Sequence, residues 1–567
     1  MSLPVRRQTM HRILRLSLLL VAAPLVARAQ TNGARDTMGL RPAFARIDRF
    51  VEQSMARSGT PGLALALVDR RGLLTVRSYG YADLERRLPV TADTRFEIGS
   101  ISKSFTVIAL LQEVDAGGLD PHRPVKQYLP WFTPATRWRP VTPQDLLTHT
   151  SGLPGDRDDV PSSPAQAYVA RERTLGSAPG TYWAYSNVGY QVLGALLEKL
   201  TGQPLPTVIQ ERLLGPLGMT ASQAQFTDST RPFMAHGYQP LHDDRPARAA
   251  DPLVPAPWIE YGSGDGSIIA TAADLGRYLT LLLNRGTLLS ESTWSRMMHP
   301  GAPMGDGRSY GYGMFLDSLD GRPAFEHSGG MLGYTSDLIG DPTQGIGAVV
   351  FVNGPGSADG TARFALQALG AAMRGDTLPA VPVQESPSHV AHPERYAGVY
   401  RGPNGDSLVL AAEGDSLLLV RNGERLALEP YDTDAFLVPG SDFPLYPLRF
   451  AGDSSGMTEA WYGGDWYPAA RYAGPRSFTV PRQWKAFTGH YRIMQPWEPG
   501  FRIVVRKGKL WAITPDGTEQ PLTLLPGGEY RVGVKQSAER LRFGPVVDGR
   551  VLIADWSGMR YYRYFTP

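Results

Sequence analysis

The chain has no cysteine among its 567 residues. That excludes disulfide bonds, a thiol nucleophile, thiolate metal ligands and a lipid anchor on cysteine. Whatever holds the fold must come from packing alone. No strong charge of either sign is present: 57 basic residues stand against 54 acidic ones, a formal net charge of +3. Five of the arginines lie within residues 1–29, which hold no acid, so the remainder is close to neutral. Such a surface suits no nucleic acid. Beyond residue 29 no apolar run approaches the roughly 20 residues that span a bilayer. Histidines are few, ten in all, and no His-Glu-x-x-His occurs; His389 and His392 are three apart but lie in a proline-rich stretch. Neither a metal nor a cofactor is expected.

What is present begins at the N-terminus. Arg6, Arg7, Arg12 and Arg15 precede the apolar stretch from Leu16 to Val26, and Ala27-Arg28-Ala29 puts small residues at the two positions that define a cleavage site. This predicts a secretory signal peptide over residues 1–29, cut before Gln30, and a secreted or periplasmic protein with no membrane span after cleavage. The apolar stretch is too short for a spanning anchor.

A chain of this length holds two to four domains. Leu63 to Val68 and Leu73 to Tyr79 are extended apolar runs joined by Asp69-Arg70-Arg71-Gly72, a hairpin pattern. Phe105, Ile108, Leu111 and Val114 recur at helical spacing and stop at Gly117-Gly118. Strand character returns over 324–339 and 347–352, and a helical stretch over 360–374 follows. Strands early and late, with helices between, predict one antiparallel sheet built from both ends of a domain over 30–375. Residues 376–393 carry four prolines and read as a linker. Beyond it, Tyr396-Ala397-Gly398-Val399-Tyr400-Arg401 recurs as Phe487-Thr488-Gly489-His490-Tyr491-Arg492, and Leu448-Arg449-Phe450 recurs as Leu541-Arg542-Phe543. Two copies of one small antiparallel β unit are expected, over 394–478 and 479–567, each barrel-like.

The chemistry is concentrated in three short motifs. Ser100-Ile101-Ser102-Lys103 stands just before the apolar helical run, so a hydroxyl and an amine share one helix face. A serine needs a neighbouring base to become a nucleophile, and a lysine can be that base. Tyr185-Ser186-Asn187 follows, and His327-Ser328-Gly329-Gly330 heads the late strand region. Each alone is common in turns and loops.

Together and in this order they resemble the penicillin-recognising serine hydrolases. The likeness is to the branch of class C β-lactamases, D-alanyl-D-alanine carboxypeptidases, D-aminopeptidases and β-lactamase-like esterases. His149-Thr150-Ser151-Gly152-Leu153-Pro154 and Gly264-Asp265-Gly266-Ser267-Ile268-Ile269 look like that branch's spacer phrases. The resemblance covers roughly residues 40–375. It implies an α+β fold: an antiparallel sheet flanked by helices, plus a helical lobe, with the two β units following. It implies Ser100 as the acyl-accepting nucleophile, Lys103 as an aid to its deprotonation, and Tyr185 as the proton shuttle. A phenol, with a reference pKa of about 10, would need the lysine cation beside it to serve near neutrality. Asn187, His327, Ser328 and Gly329 would contact substrate, and the N–H groups of Ser100 and Gly330 would form the oxyanion hole.

One position departs from the β-lactamases of the branch, which usually carry lysine where this chain has His327. Histidine there is more like the carboxypeptidases, D-aminopeptidases and some esterases. Partly neutral near pH 7, it would hold a substrate carboxylate less firmly. The implied activity is therefore that of an exported D-amino-acid peptidase, amidase or carboxypeptidase on small peptides or peptidoglycan fragments. A carboxylesterase, a class C-like β-lactamase and a non-catalytic binding protein on the same fold stay open. Gly307-Arg308-Ser309-Tyr310-Gly311 also fits a nucleophile elbow, but that motif needs a strand before it and a helix after it. His149 and Asp274 are expected to act structurally.

Overall fold

The computed structural model describes residues 37–155, 163–383, 385–440 and 444–566. The expected signal peptide lies outside them. No helix among the described residues is long and apolar enough to cross a membrane.

Helix α1 (Arg41–Ser58) leads into the predicted hairpin, β1 (Gly62–Asp69) and β2 (Gly72–Asp83), with a short β3 (Leu88–Pro89). Helix α2 (Ser102–Asp115) follows a single 3-10 turn at Gly99–Ile101. Helix α3 (Asn187–Thr201) starts on Ser186, whose hydroxyl accepts the Gly189 N–H, and stops on Gly202 in the left-handed region. Helix α4 (Ala272–Asn284) starts on Thr271 in the same way. Strands β4 (Ala302–Pro303), β5 (Ser309–Tyr310), β6 (Phe315–Leu319), β7 (Arg322–Met331), β8 (Tyr334–Asp341) and β9 (Ile346–Val352) come next, then α5 (Ala358–Arg374).

The nine strands form one antiparallel sheet in the order β3-β2-β1-β9-β8-β7-β6-β5-β4, so the first and last strands of the domain pair at its centre. Both faces of the centre are covered, which is why β1 and β9 are buried at every residue. Alternate residues serve opposite cores. Leu63, Leu65 and Leu67 join Ile346, Ala348 and Val350 against Phe44, Ile47 and Phe364 of α1 and α5. Ala64, Ala66, Val349 and Phe351 face α4 and the α2–α3 lobe. The stretch 324–339, read as one strand region, is two strands joined at Leu332-Gly333.

The sequence repeat past the linker has a structural counterpart. Tyr400 donates its hydroxyl to Tyr396 O at 2.8 Å, and Tyr491 donates to Phe487 O at 2.7 Å. Gly398 and Gly489, between each pair, have φ near +145° and +141°. Phe450 and Phe543 pack on those tyrosines in turn. The two units differ in closure. The second is a closed eight-stranded barrel, sealed by Tyr491↔Arg563 and Arg492↔Tyr562. The first is a four-stranded and a five-stranded sheet whose edges meet at one bridge, Tyr400↔Ala469.

Candidate active site

Ser100 sits inside the 3-10 turn that opens α2, and Lys103 is one turn on. The lysine is fully buried, and its ammonium group has three acceptors: Ser100 Oγ at 2.9 Å, Asn187 Oδ1 at 2.6 Å and the Asp265 carbonyl at 2.8 Å. An ammonium has three donors, so each is used. Two of the three motifs and one spacer phrase thus meet on one nitrogen. The Tyr185 ring lies 5.0 Å from that nitrogen.

The Tyr185-Ser186-Asn187 segment is held from behind by the other spacer phrase. His149 Nδ1 accepts the Ser186 N–H at 3.1 Å, Pro154 O accepts the Ser186 hydroxyl at 2.7 Å, and Gly155 O accepts the Asn187 N–H at 3.0 Å. The His149 ring also packs 4.3 Å from Tyr185 and 4.6 Å from Tyr310, centroid to centroid. Burial, then the nearby Lys103 and His327, push its pKa well below the usual histidine value. A neutral ring matches its acceptor role.

The His-Ser-Gly-Gly motif lies on β7, with Ser328 and Gly330 facing outward and His327 and Gly329 inward. The glycines are required by approach. A Cβ on Gly329 would lie 2.0 Å from Ile98 O, and one on Gly99 would lie 2.7 Å from Gly330 N. Gly99 also has φ near +50°, a left-handed conformation. Only side-chain-free backbone lets β7 press against the turn that carries Ser100. His327 is buried; its Nδ1–H donates to Ser328 O at 2.6 Å and its Nε2 accepts the Tyr310 hydroxyl at 3.0 Å. Burial, with Lys103 adding to it, lowers its pKa to about 3. It is a neutral, inward-facing group at neutral pH and presents no cation to a substrate.

A cavity of about 160 Å³ opens over Ser100, lined also by Asn187, Tyr261 and Gly330. Its far wall is Trp497 and Glu498, from the loop between the first two strands of the terminal barrel. The barrel therefore covers the cleft, and none of the residues lining it is basic. A second cavity, about 700 Å³, lies behind the Tyr185 segment against Arg139, Asp145 and Trp183, and does not include Ser100.

Ser309 belongs to β5, with the strand β6 after it and no helix, so the elbow pattern has no elbow. Its neighbour Tyr310 is the residue of that phrase that reaches the site, through His327. Asp274 accepts Ala221 N–H and the Ser222 hydroxyl and pairs with Arg277. Its role is structural, as expected. Among the described residues no cluster of three histidine, aspartate or glutamate side chains could hold a metal ion; His389 instead pairs with Asp415. Sequence reasoning missed the Asp265 carbonyl, Tyr310, Trp497 and Glu498. A backbone oxygen has no residue signature, and a loop in a remote β unit gives no local sign of its destination.

The sequence profile of the β-lactamase family matches residues 47–372. Protein flp of Staphylococcus aureus is 26% identical over 322 residues, covering 54% of this chain and 62% of that protein. PbpX of Bacillus subtilis, whose name assigns it provisionally to the penicillin-binding proteins, is 28% identical over 254 residues, covering 44% of this chain and 61% of that protein. The chain thus spans less than two thirds of the length of these curated relatives. Among solved structures, the octameric penicillin-binding protein homologue from Pyrococcus abyssi superposes with a TM-score of 0.56 at 25% identity, over 75% of this chain and 99% of that one. EstCE1, a hydrolase with promiscuous acyltransferase activity, shares the fold with a TM-score of 0.50 at 21% identity, over 59% of this chain and 99% of that one.

Proposed function

The chain belongs to the β-lactamase family, and on that premise we propose that it is an exported serine hydrolase that cleaves small amides or peptides bearing a free amine, with the amino group set against Glu498. Ser100 Oγ attacks the carbonyl carbon while its proton passes to the Lys103–Tyr185 pair. The carbonyl electrons collect on oxygen, opposite the N–H groups of Ser100 and Gly330. When the C–N bond breaks, Tyr185 returns the proton to the leaving amine. Water then attacks the acyl-enzyme by the same route and frees Ser100. Asn187 holds Lys103 and is within reach of the substrate amide. An ester needs less help at the leaving group and would be cleaved by the same residues.

The observation that carries the substrate class is the wall of the Ser100 cavity, which holds two acidic residues, Asp265 and Glu498, and no basic side chain. A buried neutral His327 where a cation would serve a carboxylate points the same way. Both favour an amine-bearing substrate, an aminopeptidase or amidase, over a penicillin or a C-terminal carboxylate. The D-configuration rests on a resemblance: a catalytic domain followed by two β units is similar to the D-aminopeptidase arrangement. Peptidoglycan-derived peptides are one source of such substrates. The test is kcat/KM for D-alanine p-nitroanilide, its L-enantiomer and its N-acetyl derivative, with wild type and Glu498→Gln. A charge-assisted contact contributes about 1.5–3 kcal/mol, so Glu498→Gln should lose roughly 10- to 100-fold on the free amine and little on the acetylated substrate. Equal turnover of free and acetylated substrate by wild type would sink the amine reading, and a preference for the L-enantiomer would sink the D-assignment.

A further inference from the structure

The terminal barrel touches the catalytic machinery a second time, away from the Trp497–Glu498 loop. Glu539, beside the barrel strand Arg540–Phe543, points one carboxylate oxygen at the catalytic domain. Its Oε1 accepts the Gly155 N–H at 2.9 Å. Its Oε2 accepts the Trp556 indole N–H at 2.9 Å and the Ser557 hydroxyl at 2.6 Å. These donors, two of them from the neighbouring barrel strand and turn, hold this side chain in one orientation. Gly155 then uses its own carbonyl to accept the Asn187 N–H, and Asn187 Oδ1 takes the Lys103 ammonium at 2.6 Å. The chain of contacts runs Glu539, Gly155, Asn187, Lys103, Ser100.

The packing allows little slack along it. A Cβ on Gly155 would lie 3.1 Å from Tyr185 O, and a Cβ on Gly176, in the neighbouring loop, would lie 2.3 Å from Ala538 Cα. The barrel backbone at Ala538, next to Glu539, therefore packs directly on Gly176, whose own N–H donates to Gly152 O at 2.8 Å.

We infer that Glu539 is a positioning residue for acyl transfer: the barrel, through its carboxylate, fixes the 153–155 segment and with it the Asn187 side chain that orients Lys103 toward Ser100. The carboxylate accepts from a backbone N–H and so transmits position rather than charge to the substrate. This rests on the serine-hydrolase reading but not on the choice of amine-bearing substrate. It makes the second β unit part of the active site rather than an appended module.

The experiment is a double-mutant cycle on Glu539→Ala and Asn187→Ala, read with p-nitrophenyl acetate and with the rate of labelling by a fluorophosphonate, beside thermal melts of each variant. Displacing a catalytic group by a fraction of an ångström to 1 Å costs roughly 10- to 100-fold in rate. Glu539→Ala should lower kcat by that factor with KM nearly unchanged. In the Asn187→Ala background it should cost almost nothing, because residues that act through one another are not additive. The cycle repeated with Glu539→Gln, which keeps the volume but sets an amide N–H against one of these donors, should give the same non-additivity if Glu539→Ala unfolds the barrel. Multiplying losses in the double mutant, or wild-type kcat in both Glu539 variants, would overturn the inference. Wild-type protein inert toward ester and fluorophosphonate alike would instead overturn the hydrolase reading on which it stands.

Discussion

Gly99→Ala perturbs the site through one methyl group, and its effect can be worked out in advance. Residue 99 has φ near +50°, and an L-residue held there costs roughly 1–2 kcal/mol. The new Cβ would meet Gly330 N at 2.7 Å and Gly330 O at 2.8 Å. Both are backbone atoms, so relief requires the turn at 99–101 and strand β7 to part. Forcing one extra carbon into a packed contact costs about 1–3 kcal/mol. The total is about 3 kcal/mol, which for a unit the size of the family match lowers Tm by roughly 4 °C. The parting also moves the Gly330 N–H away from the Ser100 carbonyl site. Loss of one oxyanion donor costs ~10²–10³ in rate. The assay is the second-order rate of fluorophosphonate labelling at Ser100, with melts recorded alongside. Gly117→Ala is the control, because Gly117 has φ near +76° with nothing within 4 Å of its would-be Cβ. It should lose stability and keep the wild-type labelling rate. If Gly99→Ala melts lower yet labels at the wild-type rate, the Gly330 N–H is not part of the oxyanion hole.

Two further outcomes follow from the same geometry. Glu97, three residues before Ser100, is buried, and burial raises its carboxyl pKa from 4.5 to about 8. Between those values the folded protein binds the extra proton, so stability falls as pH rises through this window and levels off above it. At 1.36 kcal/mol per pH unit the loss by pH 7 is about 3 kcal/mol. Glu97→Gln should therefore melt like wild type at pH 5 and higher than wild type at pH 8; parallel curves would show that Glu97 is ionised in the fold. Tyr185→Phe should keep the fold and the Ser100 environment while lowering kcat for the nitroanilide by ~10²–10⁴, the range of general acid–base catalysis. Stopped-flow or steady-state rates within a few-fold of wild type would remove Tyr185 from the mechanism.

The sheet was legible because burial on two faces leaves a mark: Leu63 to Val68 is apolar at every position, and its partner strand at 347–352 reads the same way. The hairpin joint at Asp69–Gly72 and the helix after Ser100 carried their own turn and period signals. The strand break at Leu332-Gly333 was not legible, since apolar and small residues run through it without a polar turn cluster. Barrel closure was not legible either. The repeat signalled two like units, but whether the first and last strands pair depends on a few ladder bonds such as Tyr491↔Arg563. At the site, Ser100, Lys103, Asn187 and Gly330 could be named from the sequence because their spacing and order form a pattern, and the fold brings them together. His327 was named as well, yet its neutral, inward-facing state depends on burial and on Tyr310, which no motif encodes. Glu498 lines the cleft and Glu539 reaches the Gly155 segment behind it only through the docking of the barrel, and the Glu539–Gly155 contact joins residues 384 apart in the chain.

The central claim is that Ser100 carries the acyl group. Intact-protein mass spectrometry after incubation with a fluorophosphonate, followed by peptide mapping, tests it on wild type, Ser100→Ala and Ser309→Ala. The account predicts one adduct on Ser100 in wild type and Ser309→Ala, and none in Ser100→Ala. An adduct that persists in Ser100→Ala, or that maps to Ser309, would contradict it.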